Sequence, residues 1–244
     1  MKKAIVTGAS SGIGQAIALD LAGAGYSVVA SGRDTERLDA LAGTQAGIFP
    51  LAADLATEDG CRRLVEDAMA QLGSLDLLVN NAGIYRRGSA AETSEDDWQA
   101  TLAINLDAPF RLSRDCLPFL LKTRGAIINI ASDWGLQAGK RAAAYCASKG
   151  GLVLLTRAMA MDHAHQGVRI NAVCPGDVDT PMLVEDGARD GMSHAAALAH
   201  CNAESPTGRV THPEEVAALV RFLASEEARQ VTGAAIPIDG GNTA

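Results

Sequence analysis

A tyrosine and a lysine four residues apart are the side chains in this chain best suited to chemistry. Tyr145 and Lys149 fall within a helical pattern that we predict over Ala142–Met161. Residues four apart share one face of a helix, so both side chains point the same way. Moving a phenol pKa from ~10 to about 7 takes roughly 4 kcal/mol, and a nearby ammonium supplies much of it. The spacing therefore indicates a phenol tuned to exchange a proton.

A serine hydroxyl is predicted to join this pair. Ser132 directly follows a β-branched run, Ala126–Ala131, that we interpret as a strand. A hydroxyl at that point can donate to a substrate carbonyl or steady an alkoxide. Trp134, two residues on, is expected either to wall a substrate pocket or simply to pack. The predicted substrate contacts are therefore Ser132, Trp134 and Tyr145.

A glycine-rich loop lies near the start of the chain. The segment 7–14 reads TGASSGIG and stands between a predicted strand, Ala4–Thr7, and a predicted helix, Ile13–Ala22. Glycines let a backbone approach a pyrophosphate, and a helix N-terminus offers free N–H groups to that anion. The order strand, loop, helix favours nucleotide binding, although an ordinary glycine-rich turn would have the same composition.

The residues after the second predicted strand bear on the choice of nucleotide. Gly32 stands where an acidic side chain would bind a ribose 2′-hydroxyl, and Arg33 follows it. An arginine there suits a 2′-phosphate, which favours NADP(H). The alternative is that Arg33 is a solvated surface charge and that Asp34 reaches the ribose, as in an NAD(H) site. Asp54, after the third strand, is expected either to reach the adenine amino group or to serve near a helix N-cap.

The order of apolar segments predicts a single α/β domain over residues 1–244. Short apolar runs alternate with helical patterns, which is typical of a doubly wound sheet of parallel strands with helices on both faces. The clearest helix is Thr57–Gly73, whose apolar residues form one stripe and which ends at a glycine. The segment 177–208 breaks the alternation. It is expected to be a substrate lid or an ordinary surface insertion. The seven predicted strands are Ala4–Thr7, Ser27–Ser31, Ile48–Ala52, Leu75–Asn80, Ala126–Ala131, Arg169–Val173 and Ala235–Ile238.

Composition excludes several classes of protein. A net charge of −8 and a pI near 5.1 argue against nucleic-acid binding, which needs a basic face. No apolar run is long enough to span a membrane, and Met1-Lys2-Lys3 is not followed by a signal-peptide core. The five cysteines are scattered and the five histidines show no ligand spacing, so we predict no metal and a cytoplasmic location.

These motifs together resemble the short-chain dehydrogenases/reductases, in the subgroup of about 250 residues, over essentially the whole chain. The resemblance implies a Rossmann fold and hydride transfer between a nicotinamide cofactor and a secondary alcohol or ketone. It implies catalytic roles for Asn105, Ser132, Tyr145 and Lys149, and a homotetramer, with a dimer as the alternative. The matching segments are residues 7–14, Asn80-Asn81-Ala82-Gly83, Asn105, Ser132, Tyr145, Lys149, Pro175-Gly176 with Val178 and Thr180, and Asp239-Gly240-Gly241. The cofactor site it implies consists of Gly8, Ser10, Ser11, Gly12, Ile13, Gly14, Arg33, Asp54, Leu55, Asn81, Ala82, Gly83, Tyr145, Lys149, Pro175, Gly176, Val178 and Thr180.

Departures from the family pattern keep alternatives open. Ser11 stands where many NADP-preferring members carry a basic residue, so an NAD-dependent sugar, polyol or cyclic-alcohol dehydrogenase stays possible. Asp133 follows Ser132, where small or hydroxyl residues are frequent. Charged loop residues near the strand ends could recognise an acidic substrate or be solvated surface charges; they are Arg86, Arg87, Lys140, Arg141 and Asp177. A non-catalytic dinucleotide sensor would not need Tyr145 and Lys149, and a methyltransferase using S-adenosylmethionine would need an acidic residue in place of Gly32.

Overall fold

A computed structural model describes all residues, 1–244. It confirms one parallel sheet of seven strands with helices on both faces. The strands are β1 (Lys3–Thr7), β2 (Ser27–Gly32), β3 (Ile48–Ala52), β4 (Leu77–Asn80), β5 (Ala126–Ile130), β6 (Arg169–Pro175) and β7 (Ala235–Ile238). The helices are α1 (Gly12–Gly23), α2 (Thr35–Thr44), α3 (Glu58–Leu72), α4 (Glu95–Leu102), α5 (Ala108–Thr123), α6 (Ala143–His163), α7 (Pro181–Arg189), α8 (His194–Glu204) and α9 (Pro213–Ala224).

The sheet order is β3-β2-β1-β4-β5-β6-β7, and every neighbouring pair is parallel. The order reverses direction between β1 and β4, so the connections leaving these two strands go to opposite sides of the sheet. A crevice opens at the carboxyl ends of strands at such a point, and ligands of this fold class bind there. The glycine loop follows β1 and residues 81–83 follow β4, so both line this crevice.

The strands are buried on both faces, which explains their continuous apolar runs. Within β1, Ala4 and Val6 belong to the core on one side of the sheet, and Ile5 belongs to the core on the other side. Helix α3 packs on the second side through its predicted stripe. Thr57 caps its N-terminus and Gly73, with φ of 74°, ends it. The predicted helix of 57–73 is thus confirmed, with both ends in place.

The segment 177–208 is not a long loop. It contains α7 and α8, which pack together where Gly187 meets the Cβ of Ala197. Pro181 starts α7, and the Ser193 hydroxyl caps α8 by accepting from the Ala196 N–H. Both helices are short and mostly exposed, so neither shows a long apolar stripe. That lack of a stripe is why the sequence pattern predicted an irregular segment.

Candidate active site

The glycine loop is shaped to receive an anion at the N-terminus of α1. Gly8 and Gly12 have φ values of 64° and 55°, a left-handed conformation that favours glycine. Ser11 is the N-cap but its side chain makes no capping hydrogen bond, and the first turn contains no acidic residue. The N–H groups there and the positive end of the helix dipole suit a pyrophosphate. The loop therefore fits a dinucleotide, as the spacing predicted.

Gly14 provides the tight contact that holds this loop. A Cβ at this position would overlap the Gly8 carbonyl oxygen and the Asn81 side-chain amide. We expect Gly14→Ala to lower the free energy of unfolding by roughly 1 to 3 kcal/mol, because one of these groups must move. It should also weaken NADPH binding, measured by calorimetry. Gly23→Ala in the same helix is the control. Nothing lies within 4 Å of its new Cβ, so this variant should be slightly stabilised. A Gly14 variant as stable as this control would contradict the overlap.

The segment after β4 is tied to the end of β1. The Thr7 hydroxyl accepts from the N–H groups of Asn81 (2.9 Å) and Ala82 (3.0 Å). The Asn81 side-chain amide donates in return to the carbonyl oxygens of Thr7 and Gly8. Gly83 follows, and a Cβ there would lie 3.5 Å from both Lys149 Nζ and Asn105 Oδ1. This segment thus joins the glycine loop to Asn105 and Lys149.

The predicted turn after β6 closes the crevice from the opposite side. The Gly176 N–H donates to the Ile238 carbonyl, and Val178 is buried. Thr180, the N-cap of α7, lies against the glycine loop, since a Cβ on Gly12 would come 3.2 Å from its methyl group. Residues far apart in the sequence are therefore brought together around one cleft, as predicted.

Asp54 and Leu55, two predicted cofactor contacts, lie just beyond β3, and one is exposed whereas the other is buried. Asp54 is exposed beyond β3 and its carboxylate accepts from the Ala56 N–H, which leaves it accessible at the adenosine end. Leu55 is buried and packs in the core. Its side chain therefore faces away from the cleft, and only its backbone is free to contact a nucleotide.

Tyr145 and Lys149 lie on one face of α6, as their spacing predicted. The Lys149 ammonium lies 5.7 Å from the Tyr145 ring centroid and donates to the Ile130 carbonyl at 2.8 Å. Burial lowers the pKa of Lys149 to about 8 and raises the pKa of Tyr145 to about 12. The sequence argument expected the ammonium to lower the tyrosine pKa. The pKa of Tyr145 is raised instead, chiefly because burial disfavours the charged phenolate, and the neighbour that lowers it is the Ser132 hydroxyl.

Asn105 lies in a π-helical turn, Ala103–Asp107, between α4 and α5. It is fully buried; its amide donates to the Ile84 carbonyl (2.9 Å) and the Ser148 hydroxyl (3.1 Å), and its carbonyl accepts from the Ile84 N–H. Such turns are rare and occur often at functional sites. Asn105 thereby links the loop after β4 to α6. Ser148, which the sequence analysis did not single out, completes this link.

Ser132 has a carboxylate partner that the sequence analysis noted but gave no role. Its hydroxyl donates to Asp133 Oδ1 at 2.9 Å, and the Trp134 N–H donates to both Asp133 Oδ1 (2.8 Å) and Ser132 Oγ (3.1 Å). Asp133 Oδ2 accepts from the Asn242 amide at 2.8 Å. The turn that contains Asn242, near the C-terminus, is therefore hydrogen-bonded to Asp133, next to Ser132. No sequence signal connects position 133 to position 242.

Three aromatic rings form a wall beside Tyr145. Tyr85, Trp134 and Tyr145 meet edge to face, with centroid separations of 5.2 to 6.1 Å. Trp134 lies directly against Gly139, where even a Cβ would overlap the indole. The indole therefore packs on Gly139 and lies beside Tyr145, and its role as a wall of the substrate pocket stays a prediction. Tyr85 was missed by sequence reasoning.

The three arginines among the charged loop residues near the strand ends are paired with carboxylates. Arg87 pairs with Asp186 and Asp190, both at 2.7 Å, and so fastens α7 to the loop after β4. Arg141 pairs with Glu92 at 3.1 Å, and Arg86 lies 3.7 Å from Asp97. This pairing favours surface ion pairs over recognition of an acidic substrate.

No group of three or more His, Cys, Asp or Glu side chains is arranged to hold a metal ion. None of the helices has the length and apolar character needed to cross a membrane.

The chain is similar to several known proteins. Residues 8–243 match a family model described as enoyl-(acyl carrier protein) reductase. The chain is 40% identical to the meso-2,3-butanediol dehydrogenase of Serratia marcescens, covering 100% of this chain and 95% of that protein. It is 36% identical to the 3-oxoacyl-(acyl-carrier-protein) reductase of Thermotoga maritima, covering 98% and 97%. The ligand-free structure of Thermoplasma acidophilum aldohexose dehydrogenase superposes with a TM-score of 0.92 at 32% identity, covering 99% of this chain and 94% of that one.

Proposed function

The chain belongs to the short-chain dehydrogenase/reductase family, and from that premise we propose that it is an NADP(H)-preferring enzyme that interconverts a small secondary alcohol and its ketone. The broad class of reaction is established: the protein is an oxidoreductase acting on CH–OH groups, and its family uses a nicotinamide dinucleotide. The observation that carries the proposal is the convergence of Tyr145, Lys149, Ser132 and Asn105 on one cleft that begins at the glycine loop.

Tyr145, Lys149 and Asn105 each have a distinct task in the proposed reaction. A bound nicotinamide dinucleotide would accept the hydride from the carbinol carbon, or supply it in the reverse direction. Tyr145 takes the hydroxyl proton during oxidation and returns it during reduction. Lys149, held by the Ile130 carbonyl, places a positive charge beside the phenol and favours its ionised form. Asn105 keeps the loop after β4 at a fixed distance from α6.

The preference for NADP(H) is supported by the contacts around the end of β2. Arg33 is exposed, and its side chain makes no ion pair or hydrogen bond within the chain. Gly32 adds no side chain, and Ser10 Oγ lies 3.2 Å from where its Cβ would be. Asp34, the residue that would favour NAD(H), is already engaged: it caps α2 by accepting from the Arg37 N–H and pairs with the Arg37 guanidinium at 3.2 Å. An arginine with no partner beside a small-residue pocket suits a 2′-phosphate.

Calorimetric titration with NADPH and, separately, NADH tests this preference. We expect the unmodified protein to bind NADPH more tightly. Arg33→Ala should weaken NADPH binding by about 10- to 100-fold, the range for losing a charged hydrogen bond to phosphate, and leave NADH binding nearly unchanged. Arg37→Ala is the matched control, because it removes a neighbouring arginine that already has a partner. Equal losses for both nucleotides in Arg33→Ala would show that Arg33 does not meet the phosphate.

Measurement of turnover tests the proposed reaction and the role of Tyr145 in it. Consumption of NADPH would be followed with small ketones, and formation of NADPH with the matching secondary alcohols. Activity that survives Tyr145→Phe would assign the turnover to another group.

We also propose a homotetramer, in accordance with the family. Leu152 and Val153 of α6 are buried in the chain's own core, whereas Leu154 and Met161 of that helix are 66% and 82% exposed. Phe110 on α5 is also exposed. These apolar side chains favour an interface on the α5 and α6 face. The five cysteines are free thiols, which fits the reducing cytoplasm, our proposed location.

A further inference from the structure

Resting on the proposed function, we propose that Arg87 is a specificity-determining residue: its ion pairs hold helix α7 across the mouth of the cleft and so restrict the site to small substrates. The substrate class is a secondary alcohol or ketone with short substituents on both sides of the reacting carbon. Arg87 acts in this proposal as a positioning residue, because it works through α7 and does not touch the substrate.

Helix α7 runs from the glycine loop to the aromatic rings beside Tyr145. At its N-terminal end, the Thr180 methyl group lies 3.2 Å from where a Cβ on Gly12 would be. At its C-terminal end, the Arg189 guanidinium lies 6.0 Å from the centroid of the Tyr85 ring, which lies 5.2 Å from that of Tyr145. The 9 residues of the helix span about 13 Å. The helix therefore bridges the two ends of the cleft, and a substrate with a long substituent would meet it.

Apolar packing alone holds α7 only weakly. Gly187 is the one buried residue of this helix, at the point where it meets the Cβ of Ala197 on α8, and the other residues of α7 are partly or fully exposed. Elements with few buried apolar contacts open locally at a low cost in free energy. The position of α7 therefore depends on its polar contacts with the rest of the chain.

Arg87 supplies these polar contacts at the C-terminal end of α7. One of its Nη atoms donates to both carboxylate oxygens of Asp190 at 2.7 Å, and the other donates to Asp186 Oδ2 at 2.7 Å. The second Asp186 oxygen faces the Arg189 guanidinium at 3.7 Å. The Arg87 side chain is only 21% exposed, so solvent and salt screen these pairs less than they screen ordinary surface pairs. One guanidinium thus holds two carboxylates that lie one helical turn apart.

The backbone on either side of Arg87 is itself anchored. On one side, the N–H and the carbonyl of Ile84 are both hydrogen-bonded to the Asn105 side chain. On the other side, the Gly88 N–H donates to the Arg141 carbonyl at 2.7 Å. Arg87 therefore extends from a segment that is fixed at both ends, and its guanidinium gives α7 a fixed point of attachment.

A matched pair of methyl ketones tests the restriction on size. The ketones 2-butanone and 4-phenyl-2-butanone react at the same carbon and differ only in a phenyl group. The kcat/KM of each would be measured with NADPH and with NADH. Arg87→Met removes both ion pairs and keeps an unbranched side chain. We expect it to raise the kcat/KM of the larger ketone relative to that of the smaller one by about tenfold, the lower end of the range for a charge-assisted hydrogen bond.

Two further variants show whether this change comes from the ion pairs. Arg87→Lys keeps a positive charge but cannot reach both carboxylates with the fork of a guanidinium, so its ratio should lie between those of the unmodified protein and Arg87→Met. Arg86→Met is the matched control, because Arg86 belongs to the same loop, is exposed and lies 3.7 Å from Asp97. It should leave the ratio of the two ketones unchanged.

Hydrogen exchange tests the attachment of α7 without turnover. Amide exchange of residues 181–190 would be followed by mass spectrometry in the unmodified protein and in the three variants, with no nucleotide or ketone present. In Arg87→Met this segment should exchange about tenfold faster, because its local opening no longer breaks the ion pairs. Exchange in the fully buried strand β5 should be the same in all of these proteins.

The possible outcomes distinguish this proposal from the proposed function. An unchanged ratio of the two ketones in Arg87→Met would overturn the restriction on size and leave the proposed function standing. Unchanged exchange of residues 181–190 would overturn the role of Arg87 in holding α7. A lack of turnover with either ketone, and with the matching alcohols, would overturn the proposed function, and hydrogen exchange would still decide whether Arg87 holds α7. Circular dichroism checks folding, and Asp190→Asn, which removes one of the paired carboxylates, carries both measurements if Arg87→Met does not fold.

Discussion

Tyr145→Phe should lower kcat by about 100- to 10,000-fold, the usual contribution of a positioned general acid or base. The substitution removes the one oxygen that can exchange a proton with the substrate and keeps the aromatic ring. That ring packs edge to face against Tyr85 and Trp134 at 5.2 and 6.1 Å, so the wall of the cleft should persist. The measurement is NADPH consumption with a small ketone, together with calorimetric binding of NADPH, which should be nearly unchanged.

Tyr85→Phe is the matched control for this experiment. It also removes one phenolic oxygen from the same ring cluster, but from a residue with no assigned proton transfer. We expect it to keep most of its turnover. If the two variants lost activity equally, the effect would have to come from disturbance of the aromatic wall and not from the loss of a proton donor.

The positions of the proposed catalytic residues could be predicted because local rules determine them. Tyr145 and Lys149 are four apart on a helix, and that periodicity alone places them on one face. The glycine loop follows the first strand directly, so its place at the sheet's carboxyl edge follows from parallel topology. The strands are continuous apolar runs bounded by polar turns, and all seven were found with ends shifted by at most two residues.

The features that could not be predicted depend on contacts between distant residues. Asp133 accepts a hydrogen bond from Asn242, more than a hundred residues away, and no sequence periodicity predicts that pairing. The two helices of 177–208 are held by partners such as Arg87, which lies outside the segment. The direction of the Tyr145 pKa shift depends on burial, which is a property of the folded chain. The sequence identified Lys149 as a charged neighbour of Tyr145. It could not show how strongly burial raises the pKa of Tyr145.

Lys149→Met should lower kcat by at least about a hundredfold, since the phenol then loses the positive charge that favours its ionised form. The same variant should also show by how much the buried charge lowers the free energy of unfolding. Burial lowers the pKa of Lys149 from 10.5 to about 8, a shift equivalent to about 3 kcal/mol. At pH 7 the lysine is protonated in the folded and unfolded states alike. The buried charge therefore destabilises the folded state by the full amount at this pH.

The sign of the pH dependence follows from the number of protons bound in each state. Between about pH 8 and pH 10.5 the unfolded chain keeps the Lys149 proton and the folded chain loses it. The unfolded state then binds more protons, so stability rises with pH in this window. Methionine has no such proton. The stability of Lys149→Met relative to the unmodified protein should therefore fall by about 3 kcal/mol as the pH increases from 7 to 10.5.

Urea unfolding at both pH values measures this difference, with the exposed Lys140→Met as a control whose relative stability should hardly change. At pH 7 the methionine variant gains by removing a buried charge and loses the hydrogen bond to the Ile130 carbonyl, which costs about 1 to 3 kcal/mol. Its stability there should equal or slightly exceed that of the unmodified protein, although it is nearly inactive. A large loss of stability at pH 7, constant up to pH 10.5, would instead mean that Lys149 is a structural residue. The expected pattern, an inactive variant that folds at least as well, would identify Lys149 as a residue kept for its charge at the expense of stability.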